Sequence, residues 1–119
     1  MADQTPLVNQ IYGYLRGKAQ MRATVTYSQV QNDLGIKLPY GGTTPLLDDC
    51  AEISLDEKRA ILPSLVVNKD TGMPGGKFGS GNARSGFWKF CEDHGFDLGD
   101  NPYEFIVQQQ LKVFKAYSS

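Results

Sequence analysis

Scarce residues narrow the chemistry first. The 119 residues include one histidine, one tryptophan and two cysteines. A Ser–His–acid arrangement would have to use His94. No Gly-x-Ser-x-Gly elbow is present, nor the Gly-x-x-x-x-Gly-Lys-(Ser/Thr) phosphate loop. Cys50, Cys91 and His94 could together offer three zinc ligands, and no fourth stands out. The expectation is a non-enzymatic chain without metal or cofactor, its thiols reduced and acting as small hydrophobes. No apolar run approaches the ~20 residues that span a bilayer. The N-terminus lacks a basic start followed by an apolar stretch, so a cytoplasmic location with no membrane partner is expected.

A strong excess of either charge is also missing: 12 basic residues stand against 13 acidic ones. Non-specific nucleic-acid binders carry a basic excess, because phosphate contacts supply most of their affinity. The distribution is more informative than the sum. Asp48, Asp49, Glu52, Asp56 and Glu57 form an acidic stretch without a base. Lys69, Lys77, Arg84 and Lys89 follow, against Asp70 alone. Glu92, Asp93, Asp97, Asp100 and Glu104 then make a second acidic stretch. Asp48–Asp49 and Glu92–Asp93 are adjacent pairs, which point apart on a helix and suit solvated faces better than an acid/base pair.

What is present reads as one α+β domain over 1–119, with residues 1–5 as a tail. Thr5–Pro6 opens a helix carrying Val8, Ile11, Tyr12 and Leu15, stopping near Gly17. Thr24–Val25 suits a short strand. Thr26 and Gln29 match a capping box for a helix over Tyr27–Leu34, with Gly35 as its terminator. Thr44–Pro45 caps a third helix, with Leu46, Leu47, Cys50, Ala51 and Ile53 inward. Ser54 and Glu57 match a second capping box and suggest a separate short helix. Ile61–Asn68 is the best strand candidate, and Met73–Phe78 would return as the second arm of a hairpin. Phe87, Phe90, Cys91 and His94 have helical spacing, leaving Trp88 partly exposed. In a last helix, Val107, Leu111 and Phe114 form the inward stripe, widened by Ile106, Val113 and Tyr117. Three helices then a hairpin is the order of a winged helix, here with two additional C-terminal helices.

The segments Thr26-Tyr27-Ser28-Gln29-Val30 and Ile61-Leu62-Pro63-Ser64-Leu65-Val66-Val67-Asn68, the latter followed by Gly72 and Gly75-Gly76, carry a resemblance. Thr26 to Gly76 resembles the C-terminal domain of the alkylguanine-DNA alkyltransferases and alkyltransferase-like proteins. The resemblance covers under half of the chain and implies a winged helix that binds double-stranded DNA. It departs where the chemistry lies. Ser64 stands in place of the alkyl-accepting cysteine and Leu65 in place of the histidine. A hydroxyl without an adjacent base is a poor nucleophile, so alkyl transfer is not expected. The family's recognition helix carries an arginine, whereas Thr44–Glu57 has no base.

Two readings follow. In the first, Lys69 and Lys77 on the wing and Arg84 and Lys89 beyond it contact phosphates, while Thr43, Thr44 or the Gly-rich turn before the third helix supplies any specificity. Phe87, Trp88 and Phe90 beside those bases suit core anchoring better than base stacking. In the second, the acidic stretch Asp48, Asp49, Glu52, Asp56 and Glu57 engages a basic protein, as an inhibitor or immunity-type module does.

Overall fold

The computed structural model describes residues 5–36, 43–75, 78–79 and 85–118. Five helices and one two-stranded sheet make up the described elements: α1 (Thr5–Gln20), β1 (Val25–Thr26), α2 (Tyr27–Leu34), α3 (Thr43–Lys58), β2 (Val66–Val67), α4 (Gly86–Asp93) and α5 (Pro102–Ala116). The class is α+β, mostly helical.

Local signals set several boundaries. The Gln29 N–H donates to Thr26 Oγ1 at 3.1 Å, and the Thr26 N–H donates to Gln29 Oε1 at 3.0 Å. This reciprocal pair starts α2, and Gly35 ends it at φ 63°, a conformation open to glycine at little cost. Asn101 caps α5 by accepting from the N–H groups of Tyr103 and Glu104, with Pro102 in the first turn.

Elsewhere tertiary packing overrides the local reading. α1 runs through Gly17 to Gln20, because Leu15 and Ala19 continue its buried stripe. Ser54 does not start a new helix. Its Oγ donates to the Ala51 carbonyl at 2.9 Å and accepts the Leu62 N–H at 3.0 Å, so α3 continues to Lys58. Serine makes such bonds within a helix as well as at its cap.

The expected strand Ile61–Asn68 is mostly a 3₁₀ turn over Leu62–Leu65, entered through Pro63, and only Val66–Val67 is strand. β2 pairs with β1 in parallel, Val25 opposite Val66 and Thr26 opposite Val67. α2 and α3 supply the long crossover that parallel strands require. Both residues of β2 are buried, as in a strand covered on two sides. The reversal after β2 is present: the Gly72 N–H donates to the Asn68 carbonyl at 2.8 Å, and the Asn68 N–H donates to the Met73 carbonyl at 2.7 Å. The returning arm is no strand over Met73–Gly75 or at Phe78. Pro74 has no N–H to donate, and Gly75 turns its backbone to Tyr27 and Phe87 instead. Gly76 and Lys77, within the same expected arm, lie outside the described residues.

Two apolar clusters meet on α3. Ile11, Leu15, Val30, Cys50, Leu65 and Val66 belong to the first. Ala51, Ile61, Trp88, Cys91, Phe105 and Ile106 belong to the second. Trp88, expected to be partly exposed, is 2% exposed. Its ring stands edge-on to Phe78 and Phe87, each 5.3 Å between centroids, and these aromatics fill the second cluster. On α5 and at its end, Ile106, Val113 and Tyr117 are buried as expected, but the stripe of Val107 and Leu111 is not the inward one. Phe105, Ile106, Gln109 and Val113 are buried, whereas Val107 and Leu111 face solvent.

Candidate functional site

The packing of α3 decides what its acidic residues can do. Leu46, Leu47, Cys50, Ala51 and Ser54 point into the two clusters. Asp48, Glu52 and Asp56, four residues apart, therefore share the opposite side, with Asp49 beside them. Asp49, Glu52 and Asp56 are exposed and Asp48 is half-buried. The Asp48 carboxyl is pushed up to about 6, first by desolvation and then by Asp49 and Glu52. His94 acts on it in the opposite direction.

His94 closes one end of this ridge. It caps α4, and its ring stacks on Phe90 at 3.9 Å between centroids. Nδ1 lies 2.8 Å from the Phe90 carbonyl oxygen, which can only accept, so Nδ1 carries the proton. Nε2 is thereby aimed at Glu52, 3.6 Å from Oε1. The pair is largely exposed and holds little energy. Nε2 attracts the Glu52 carboxylate, and so ties the ridge to α4, only when it too carries a proton.

Glu57, expected among the acidic contacts, belongs elsewhere. It accepts the Tyr12 hydroxyl at 2.7 Å, and the Tyr12 oxygen lies 3.0 Å from that of Tyr117. Glu57 thus joins α1, α3 and the end of α5. The ridge is Asp48, Asp49, Glu52 and Asp56.

A narrow slot opens beside Asp48. Tyr27, Pro63, Pro74, Gly75, Phe87 and Phe90 form much of its wall, and Asp48 is the acidic group in it. Tyr27 directly follows β1, and Gly75 follows the reversal after β2, so the parallel pairing and that reversal bring them together. The Gly75 N–H donates to the Tyr27 hydroxyl at 2.6 Å. A Cβ on Gly75 would stand 2.8 Å from that oxygen, so any other residue there would force the Tyr27 ring or the backbone to shift. The slot is aromatic and apolar with one carboxylate, and its volume of about 20 Å³ is roughly that of one water molecule.

Of the expected nucleic-acid contacts, only Lys69 and Lys89 have described side chains. Lys69 is exposed on the turn after β2. Lys89 sits on α4 and is held by Asp93 at 2.8 Å. Lys77 and Arg84 lie outside the described residues. Thr43 and Thr44 begin α3, with side chains outside the description.

Ser64 is fully buried, its Oγ without a hydrogen-bond partner among the described residues. Cys50 and Cys91 are buried in different clusters, and burial pushes each thiol up to about 12. The Cys50 Sγ donates to the Val8 carbonyl at 3.4 Å. Among the described residues, no group of three or more His, Cys, Asp or Glu side chains is placed to hold a metal. No described helix is long and apolar enough to cross a membrane.

The place of His94 beside the ridge, and of Tyr27 and Gly75 in the slot, did not emerge from spacing. His94 was visible only as one turn from Cys91. Tyr27 was visible through the Thr-Tyr pair of the resemblance, and Gly75 through the glycines that follow it. Comparison with protein-family models, curated proteins and solved structures gives no significant match.

Proposed function

We propose that this domain is a non-enzymatic protein-binding module whose α3 ridge engages a basic partner. One observation carries the reading: Asp48, Asp49, Glu52 and Asp56 share one side of a single helix, with the mutual repulsion registered at Asp48. Such a field attracts cations and orients their approach. The same field opposes insertion of α3 into a DNA groove, where four carboxylates would meet phosphates.

The test is fluorescence anisotropy of a labelled arginine-rich peptide, with a labelled duplex as comparison, at low and physiological salt. The expected result is salt-sensitive peptide binding that is lost in Glu52→Lys with Asp56→Lys. Absence of peptide binding at low salt overturns the reading.

Winged-helix binding of double-stranded DNA is the second reading, favoured by a separate observation. The two segments that carry the alkyltransferase resemblance meet at the Tyr27–Gly75 hydrogen bond and share one slot. Lys69 would then contact phosphate from the turn, with Lys77, Arg84 and Lys89 beyond it and Thr43 and Thr44 at the start of α3. Duplex binding that falls with salt and is lost in Lys69→Glu with Lys77→Glu would select this reading.

A further inference from the structure

α5 carries two apolar faces, one buried in the core and one largely exposed among the described residues. Phe105, Ile106, Gln109 and Val113 are buried. On the far side, Tyr103, Val107 and Leu111 are 59%, 50% and 57% exposed. They recur every four residues and so form a continuous stripe, ending at Phe114, whose half-buried ring packs against the first cluster. Apolar side chains exposed in a line on a regular helix are the pattern of a helix that packs against another helix.

The flanking charges select the occupant. Glu104 in the first turn and Lys115 in the last are both exposed, eleven residues apart, on the same flank of the stripe. A two-fold axis relating antiparallel helices keeps each flank on its own side and reverses the helix direction. With Val107 opposite the second copy's Leu111, that operation sets Glu104 one residue, ~1.5 Å along the axis, from the position facing the second copy's Lys115, within reach of its long side chain, and the reverse. Tyr103 then lies over the aliphatic stem of the same lysine. Both apolar rungs and both charge pairs are satisfied by one register. A parallel two-fold would carry this flank to the opposite side of the pair, leaving Glu104 and Lys115 without each other as partners. From the stripe and this self-complementarity we infer that the exposed face of α5 binds a second copy of the chain, as an antiparallel, isologous helix pair.

The pair is weak. A stable interface buries about 800 Å² per partner, and a single helix face ~22 Å long supplies less than that. The chain is therefore monomeric near ~10 μM and substantially dimeric near ~1 mM.

Sedimentation equilibrium of the full chain across that range tests the inference. Leu111→Glu abolishes association, with circular dichroism melting as the control that the fold is kept. Glu104→Lys and Lys115→Glu each weaken association about tenfold, since each places like charges across both symmetric pairs. The two substitutions together restore it, which non-specific apolar sticking would not do. A chain that stays monomeric at millimolar concentration, or a double variant no better than either single one, overturns the inference. The stripe lies on a different helix from the acidic ridge, so either result leaves the proposed function untouched.

Discussion

The backbone N–H of Gly75 donates to the hydroxyl of Tyr27 at 2.6 Å, joining residues 48 positions apart. Tyr27 directly follows β1, which pairs with β2 in parallel, and the reversal over Asn68–Met73 brings Gly75 back to it. Tyr27→Phe removes the acceptor and leaves the half-buried Gly75 N–H unpaired. The expected loss is about 1–2 kcal/mol, read from urea unfolding. Gly75→Ala drives a methyl into the same oxygen and should cost at least as much. A Tyr27→Phe variant as stable as the parent would show that the bond does not organise the slot.

Two buried serines should respond in opposite directions. Ser54 links the Ala51 carbonyl to the Leu62 N–H. Ser54→Ala strands a fully buried donor and costs about 1–3 kcal/mol. Ser64 has an equally buried hydroxyl without a partner among the described residues. Ser64→Ala removes an unpaired polar group, so it should be neutral or stabilising by up to about 1 kcal/mol. Thermal unfolding of the two variants side by side gives the comparison.

Asp48 makes stability depend on pH. Its folded carboxyl titrates at about 6, against an ordinary value of 3.8, so the folded state holds that proton more tightly than the unfolded chain. Below about pH 4 both states are protonated and the group contributes nothing. As pH rises from about 4 to 6 the unfolded chain ionises first and gains, and above about 6 the penalty is complete. Asp48→Asn should therefore raise the melting temperature at pH 7.5 and leave it unchanged at the acid end. Equal melting temperatures for parent and variant at pH 7.5 would show that the ridge is not strained.

The parts of the fold legible in the sequence are those fixed by contacts three or four residues apart. Thr26, Gln29 and Gly35 bound α2 as their spacing requires, and Asn101–Pro102 open α5. The parts that were not legible depend on distant partners. Ile61–Asn68 has the residues of a hairpin strand, but its partner is β1, reached across two helices. Ser54 fits a cap and equally fits a bond inside a continuing helix. On α5 the tyrosine, valine and leucine at 103, 107 and 111 make as good a stripe as the phenylalanine, isoleucine and valine at 105, 106 and 113. Periodicity marks both faces without saying which one the core takes. The acidic stretch was legible as composition. That Glu57 leaves it for Tyr12, while His94 joins it, depends on where α1 and α4 pack.

Salt and pH together should mark the ridge. A cationic partner favours ionised Asp48, so its affinity should rise between about pH 5 and 7 and fall as salt screens the surface. Isothermal titration of the arginine-rich peptide across that range measures both trends. Affinity indifferent to salt would contradict a charge-led interface.

The most direct measurement is an NMR titration of the ¹⁵N-labelled chain with that peptide at low salt. If the ridge is the binding surface, the amide signals that move belong to the exposed side of α3 around Asp48, Asp49, Glu52 and Asp56, and to His94 beside it. Signals that stay fixed there, while those around Lys69 move on addition of duplex DNA, would contradict it.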